Sequence, residues 1–333
     1  MKAVVCHAYG PPESLAVEEL APLTPGGGQV VISVKACGVN FPDTLIIQGL
    51  YQFKPPLPFS PGSEVAGVVK AAGAGVEHVK PGDRVMTLAA YGGFAEEVTA
   101  DATAVIPLPD SIDFDVASSF VMTYGTALYA LKDRARLQHG ETLLVLGAAG
   151  GVGLAAVELG KTLGARVIAA ASSEDKLAIC RQYGADATIN YVSEDLKERI
   201  KELTSGQGVD VVVDPVGGGY SEPALRGMAW NGHYLVIGFT TGEIPRIPLN
   251  LPLLKGCSIV GVFWGSFHAR EPQHSQENLR ELLGWLQGGT LRPLISARYP
   301  LEQAADALND LIHRRVVGKA VLVVEESEPT FGM

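Results

Sequence analysis

The sequence predicts an α/β fold in which a doubly wound parallel sheet is joined to an irregular, mostly β-stranded domain. Three observations lead to this prediction. Residues 141–164 have the pattern of a strand, a glycine turn and a helix. Apolar strands then alternate with helical segments to about residue 242, which is typical of a parallel sheet covered by helices. Residues 2–109 instead show short strands separated by Gly and Pro turns.

The composition sets outer limits on the function. The chain has 333 residues, 47% hydrophobic and 19% charged, so it can bury the core of one large or two medium domains. Its net charge of −10 argues against binding to nucleic acid or to an anionic membrane surface. No pair among the four cysteines has the spacing of a metal site or redox motif, so we expect reduced thiols in a cytoplasmic protein. We expect the N-terminus to be a strand rather than a signal peptide, and no stretch suits a transmembrane helix.

The amino-terminal elements alternate apolar and polar residues. Residues 29–36 (QVVISVKA) and 64–70 (EVAGVVK) are predicted strands. Residues 40–51 interrupt this pattern and are expected to contain a helical turn. From residue 113 to residue 130 the apolar spacing becomes helical, which marks the change to the α/β part of the chain.

The glycine turn is the first candidate binding site. Residues 142–146 form an apolar strand, and residues 154–163 have helical spacing that ends at Gly164. Between them, Ala148, Gly150 and Gly153 match the pattern A-x-G-x-x-G of a dinucleotide-binding turn. Gly150 would let a pyrophosphate approach the backbone, and Gly153 would let helix and strand pack closely. The alternative is a tight strand–helix turn that binds no ligand.

The later elements support the nucleotide site. A second strand is predicted at residues 165–171, a third at 209–213 and a fourth at 234–237, which ends at Gly238. Residues 258–263 are a predicted strand. Residues 266–276 are expected to form a polar loop, and we assign no role to its His268 and His274. Two helices, at 276–287 and 301–314, and a last strand at 318–324 complete the prediction.

The residues after the second predicted strand favour NADPH over NADH. An NAD site usually ends this strand with an acidic residue that binds the ribose 2′-hydroxyl. Here the strand ends at Ser172 and Ser173, and Glu174 already begins the next helix. Two hydroxyls, a helix N-terminus and Lys176 suit a 2′-phosphate. The alternative is that a serine only caps the helix and Lys176 is solvated.

At this point the sequence resembles a known family. Matching stretches are CGVNFPDTLIIQGLY (residues 37–51), PFSPGSEVAGVV (58–69), GAAGGVG (147–153), TINY (188–191), VVDPVGG (212–218), VGVFWG (260–265) and VGKAVL (317–322). They resemble the medium-chain dehydrogenase/reductase superfamily, and within it the zinc-independent, zeta-crystallin-like NADPH:quinone oxidoreductases. The resemblance implies a GroES-like catalytic domain at residues 1–122, a Rossmann domain at 123–260 and a return segment at 261–333 that completes the catalytic domain.

The resemblance also implies which residues contact the cofactor. With the glycine turn and Ser172, the expected set is Thr123, Thr126, Gly150, Gly151, Val152, Gly153, Ser172, Ser173, Lys176, Tyr191, Gly238, Phe263, Trp264 and Lys319. Tyr191 and Lys319 would join Lys176 around the 2′-phosphate. Phe263 and Trp264 could border the nicotinamide pocket, or they could pack in the core. A homodimer is typical of the family, and residues 259–264 could form a strand across its interface or belong to the core.

No zinc is expected. Zinc-dependent relatives carry a cysteine at the position of Asn40 and a histidine at the position of Ser63, and neither an amide nor a hydroxyl is a usual zinc ligand. Glu64 remains, but a single carboxylate does not make a site.

Three residues are candidates for the catalytic step. Asn40 could donate a hydrogen bond near the nicotinamide or the substrate oxygen, or it could be a turn amide bonded to local backbone. Asp43 would share its face on a helical turn, or cap that turn. Tyr51 could donate a proton or stack on a flat substrate, or be a half-buried loop aromatic.

The expected activity is hydride transfer from NADPH to a quinone, because without zinc the acceptor must already be polarised. A second possibility is reduction of α,β-unsaturated carbonyls or enoyl thioesters. A third is a non-enzymatic, crystallin-like protein that binds NADPH and has a structural or RNA-binding role; the net charge argues against RNA.

Overall fold

The computed structural model describes residues 1–324, and residues 325–333, the end of the predicted return segment, lie outside the described part. The chain forms two compact units. One joins Met1–Met122 to the chain from Pro293 onward, and the other is Thr123–Arg292. The return to the first unit therefore begins at Pro293, which corrects the predicted boundary after residue 260.

The amino-terminal part of the first unit is mostly β-stranded. In chain order its elements are β1 (Lys2–Val5), β2 (Ala16–Glu19), β3 (Gln29–Val39), α1 (Phe41–Ile46), β4 (Glu64–Ala72), β5 (Arg84–Leu88), β6 (Glu97–Asp101), β7 (Val105–Pro107) and α2 (Phe114–Ala117). β1 and β2 pair with each other, whereas β3 pairs with β4 and β6 in antiparallel register. The pairing of β3 with β4 shifts register twice, and such bulges bend a strand, as a strongly curved sheet requires.

The second unit alternates helices and strands. After α3 (Val121–Leu128) and a π-helical turn (Tyr129–Arg134), its elements are β8 (Thr142–Leu146), α4 (Gly151–Thr162), β9 (Arg166–Ala171), α5 (Glu174–Gln182), β10 (Ala187–Asn190), α6 (Leu196–Leu203), β11 (Val209–Asp214), α7 (Ser221–Arg226), β12 (Met228–Val236), α8 (Asn250–Lys255), β13 (Ser258–Gly261), α9 (Trp264–Arg270) and α10 (Pro272–Gln287).

The six strands of this unit form one parallel sheet in the order β10-β9-β8-β11-β12-β13. The order reverses between β8 and β11, which is the switch point of a doubly wound sheet. Leu143, Leu144, Val145 and Leu146 of β8 have no exposed surface, because helices cover a central parallel strand on both faces. The α/β fold class is confirmed.

Residues 261–292 belong to the second unit because side chains of α9 and α10 bond within it. The rings of Tyr129 and Phe267 stack at 4.0 Å, and the Lys132 ammonium donates to Asn278 Oδ1 at 3.1 Å. The predicted loop at residues 266–276 is therefore wrong, since these residues lie in α9 and the start of α10. The predicted strand at residues 258–263 ends earlier, at Gly261.

The carboxy-terminal return completes the first unit. It contributes β14 (Ile295–Pro300), α11 (Ala304–Ile312) and β15 (Lys319–Val323). β15 lies between β14 and β3, so the return supplies one interior strand, β15, and one edge strand, β14, of a seven-stranded sheet. Over residues 1–324, no helix has the length and apolar character needed to span a membrane.

Candidate functional site

The glycine turn of the second unit has the geometry of a phosphate-binding turn. Gly150 precedes α4 with extended backbone angles, and a Cβ added there would lie 3.4 Å from its nearest neighbour, the carbonyl oxygen of Gly147. At Gly153 a Cβ would lie only 2.2 Å from that same oxygen, so only glycine fits. The first-turn N–H groups of α4 have no intrahelical acceptor and favour an anion. The turn therefore fits the pyrophosphate of a dinucleotide.

The residues after β9 form a small polar cluster. Ser173 caps α5, and its Oγ accepts a hydrogen bond from the Lys176 backbone at 3.4 Å. The Lys176 ammonium lies 3.4 Å from the Ser172 hydroxyl. Glu174 pairs with Arg181 and is 70% exposed at its side chain, so its carboxylate is used on the helix surface. A lysine, two hydroxyls and a helix start lie together here, which is the chemistry that a 2′-phosphate requires.

Tyr191 lies at the same edge of the sheet as this cluster. β10 and β9 are parallel neighbours in which Asn190 is opposite Ala171, and the Tyr191 N–H donates to the Ala171 carbonyl at 3.2 Å. The Tyr191 ring packs on Tyr220, with ring centres 4.3 Å apart. Gly238 follows β12 at this carboxyl edge too. The structure thus brings several predicted cofactor residues to the edge where doubly wound sheets bind ligands.

Asp214 has a structural role at this edge that sequence reasoning missed. Its Oδ1 accepts hydrogen bonds from the backbone of Val216 and Gly217, each at 2.8 Å. Its Oδ2 accepts from the hydroxyls of Ser221, at 2.7 Å, and Tyr234. Burial and the charge of Asp214 raise the pKa of Tyr234, so this phenol stays protonated. An acidic residue directly after an apolar strand and before Pro-Val-Gly was the available signal.

The predicted aromatic and threonine contacts have different environments. Thr123 and Thr126 are both buried on α3. Trp264 packs on this helix, because a Cβ at Gly125 would lie 2.8 Å from its ring; its contact with a nicotinamide stays a prediction. Phe263 is 55% exposed and is available to a ligand.

A buried polar cluster surrounds the start of α1 in the first unit. Lys319, Asn40 and Glu64 are 5%, 5% and 1% exposed. The Lys319 ammonium lies 2.5 Å from Asn40 Oδ1 and 3.3 Å from Glu64 Oε2. Asn40 Nδ2 donates to Glu64 Oε2 at 3.0 Å and to the Gly38 carbonyl at 3.3 Å. Both amide hydrogens of Asn40 are used inside the cluster, which favours a structural role over the predicted contact with substrate.

The position of Lys319 differs from its prediction. We expected it beside Lys176 and Tyr191 at a 2′-phosphate. Instead its ammonium is buried in the first unit, where the Val39 carbonyl is a third oxygen partner at 3.2 Å. An ammonium has three donors, and all three are satisfied there, so none is left for phosphate.

Asp43 has an unusual ionisation. Its carboxylate accepts a hydrogen bond from the Asn40 backbone at 2.7 Å and caps α1, as one of the two sequence interpretations expected. Burial raises the pKa of Asp43 to about 7, although the Asn40 hydrogen bond and the Lys319 charge act in the opposite direction. Burial, and then the charge of Asp43, also raises the pKa of Tyr51. The first unit therefore contains a carboxyl group that can hold a proton near neutrality, with a protonated phenol under its influence.

Within residues 1–324, no group of three or more His, Cys, Asp or Glu side chains could hold a metal ion. The two positions at which the resemblance led us to look for zinc ligands hold Asn40 and Ser63. Zinc independence stays a prediction, which metal analysis can test.

Two family models match the chain. Residues 26–110 match the alcohol dehydrogenase GroES-like domain, and residues 151–286 match the zinc-binding dehydrogenase family.

Similar proteins match nearly the whole chain. The quinone oxidoreductase-like protein 2 homolog of Nematostella vectensis is 41% identical over 96% of this chain and 88% of its own length. The human quinone oxidoreductase is 34% identical over 97% of this chain and 98% of its own. The crystal structure of Escherichia coli quinone oxidoreductase complexed with NADPH has a TM-score of 0.90 and 32% identity, covering 97% of this chain and all of that one.

Proposed function

The chain belongs to the quinone oxidoreductase family of the medium-chain dehydrogenases/reductases, and we propose that it reduces a quinone with NADPH and without zinc. The similarity that carries this proposal extends over almost the entire chain and includes relatives named for the activity. The observation in the structure that supports it most directly is the carboxyl edge of the parallel sheet. A phosphate-binding turn and a polar cluster that holds a lysine both lie at this edge.

The preference for NADPH is supported by the residues after β9. Lys176 and the hydroxyls of Ser172 and Ser173 offer positive charge and hydrogen bonds, and Glu174 is paired with Arg181. NADH would favour an acidic residue at the end of β9 that binds the ribose 2′-hydroxyl. Here Ser172 and Ser173 follow the strand, and the acidic residues Glu174 and Asp175 lie in the first turn of α5. The E. coli relative that contains NADPH points in the same direction.

When bound, NADPH would supply the hydride that reduces the quinone. The residues of the chain then have to orient the acceptor and donate one proton, because hydride addition to a quinone leaves an oxyanion that must be protonated. Tyr51 keeps its phenolic proton, and its Oη can donate a hydrogen bond to such an oxygen. The Asp43 carboxyl can hold the proton that is finally delivered.

An acceptor panel tests the proposal. We expect steady-state turnover of 1,4-naphthoquinone with NADPH, and a lower kcat/KM with NADH. An alkenal and crotonyl-CoA serve as comparison substrates. Turnover of the thioester alone would reject the quinone proposal, and tight NADPH binding with no turnover of any acceptor would favour a non-enzymatic role.

We also propose a homodimer formed through β13. Within residues 1–324 this strand is the outer member of the parallel sheet and has no strand partner on one side, where the Gly261 carbonyl accepts from Arg134 Nε at 3.2 Å. Apolar side chains lie exposed on or near it, among them Leu249 (80%), Leu253 (78%) and Ile259 (42%). Such a patch beside an unpaired edge is typical of an interface, and pairing of β13 with its copy would cover both.

A cytoplasmic location is proposed on the four cysteines, which are all free and buried. Fractionation of cells that produce the protein would test it, and recovery in a secreted fraction would reject it.

A further inference from the structure

The ammonium of Lys319 has a complete set of oxygen partners. They are the Val39 carbonyl at 3.2 Å, Asn40 Oδ1 at 2.5 Å and Glu64 Oε2 at 3.3 Å. These oxygens come from the end of β3, the cap of α1 and the start of β4. Lysine is rarely buried so fully unless it is paired, because its charge is strongly hydrated in water. The arrangement therefore has the form of a cation-binding site in which the bound cation is the ammonium of Lys319 itself.

We propose that Lys319 is a positioning residue, the resident cation that holds Asn40, Glu64 and the backbone of Met122 in their working positions. The proposal rests on the proposed reductase function for the reaction that it serves. The contacts that support it are independent of that function.

Glu64 extends the influence of the ammonium to α3. Its Oε2 accepts from both Lys319 and Asn40, and its Oε1 accepts from the backbone N–H of Met122 at 2.8 Å. Met122 directly precedes Thr123, the first of the predicted cofactor contacts on that helix. One carboxylate thus links the cation to the backbone at the helix start, and a shift of Lys319 would be felt there.

The same ammonium controls the balance of charge around Asp43. The groups that act on this carboxyl are Lys319 on β15 and Glu64 on β4, and those that respond to it include Tyr51 and the Cys37 thiol. Burial is the dominant effect on Asp43; the charge of Lys319 lowers its pKa, whereas that of Glu64 raises it. Removing either partner must therefore move the titration of Asp43, and in opposite directions.

The test compares Lys319→Met, Glu64→Gln and the double variant as full-length proteins. Two pH curves are measured for each, the melting temperature and kcat/KM for quinone reduction with NADPH. We expect Lys319→Met to move the inflection near neutrality to higher pH and Glu64→Gln to move it to lower pH, each by on the order of one unit. The double variant should return towards the wild-type inflection and melt above Lys319→Met, because it leaves no unpaired carboxylate at position 64.

Lys70→Met and Glu97→Gln are matched controls. Lys70 and Glu97 also form an ion pair in the first unit, away from the cluster around Asn40, and their loss should leave both inflections in place. Additive losses of melting temperature with unchanged inflections, or shifts in the same direction, would overturn the proposal.

Two further outcomes are distinguishable. A wild-type protein that reduces no quinone would reject the proposed function, yet the melting curves would still decide the role of Lys319. If Lys319→Met does not fold, Glu64→Gln and the double variant decide. A double variant that also fails to fold, or a Glu64→Gln protein with an unmoved inflection, then rejects the coupling.

Discussion

Two glycines of the same turn should respond differently to one added methyl group. At Gly150 the new Cβ would lie 3.4 Å from its nearest neighbour, which is ordinary contact, and the backbone is extended. Alanine is a poorer helix cap than glycine, but it also restricts the unfolded chain, so the net effect on unfolding should be within about 1 kcal/mol. The methyl group would nevertheless occupy the space that a pyrophosphate needs.

At Gly153 the same methyl group has no room even without a ligand. It would lie 2.2 Å from the Gly147 oxygen, roughly 1 Å inside normal contact, and overpacking of this kind costs about 1–3 kcal/mol. Gly153→Ala should therefore melt several degrees lower, whereas Gly150→Ala should melt close to the wild type.

NADPH binding separates the two variants further. Loss of one hydrogen bond to a charged phosphate costs about 1.5–3 kcal/mol, which corresponds to roughly 10- to 150-fold in Kd. We expect Gly150→Ala to lose this affinity in a fluorescence titration with NADPH while it retains its melting temperature. Gly284→Ala is the matched control, because a Cβ at this helical glycine of α10 meets no atom within 4 Å. Wild-type NADPH affinity in Gly150→Ala would refute the placement of the pyrophosphate on this turn.

Three further outcomes are expected. Lys176→Glu should reverse the ratio of KM for NADPH and NADH, whereas Lys201→Glu, at an exposed position on α6, should not. An unchanged ratio in Lys176→Glu would reject the assignment of Lys176 to the 2′-phosphate. Asp43→Asn should remove a pH dependence of stability: with a pKa raised from 3.8 to about 7, the carboxyl stabilises the fold fully below about pH 4, and this is lost as the pH rises through about 7. As the pH rises over this range, the melting temperature of the wild type should fall relative to that of the variant, which corresponds to a loss of up to about 4 kcal/mol in the free energy of unfolding. A difference in melting temperature that does not change with pH would contradict the raised pKa of the buried carboxyl. Leu253→Glu should convert a dimer to monomers in light scattering while the exposed Leu20→Glu does not, and a wild type that is already monomeric would reject the dimer.

The parallel sheet could be predicted because its signals are local. The apolar run of β8, the turn that follows and the spacing of α4 all lie within about two dozen residues, and each segment specifies its own conformation. The helices α9 and α10 were harder to predict. The segment around His268 is polar and resembles a loop, and its helical state depends on packing such as the stack of Phe267 on Tyr129.

The candidate catalytic cluster could be predicted only in part for the same reason. Asn40 and Asp43 are three residues apart, and their reciprocal contacts follow from a helix start. Lys319 is 279 positions from Asn40, and no periodicity relates the two. Only the insertion of β15 beside β3 brings them together, and a tertiary pairing of this kind leaves no local trace in the sequence.

The late position of β15 has a consequence for synthesis of the chain. A ribosome releases Asp43 and Glu64 long before Lys319, and the whole second unit is made in between. Until the final strand is inserted, the Glu64 carboxylate lacks its cation and the sheet lacks an interior strand. The second unit, by contrast, is continuous in sequence and can fold as soon as it has emerged. Each newly made molecule should therefore acquire the parallel sheet of its second unit before its first unit is complete.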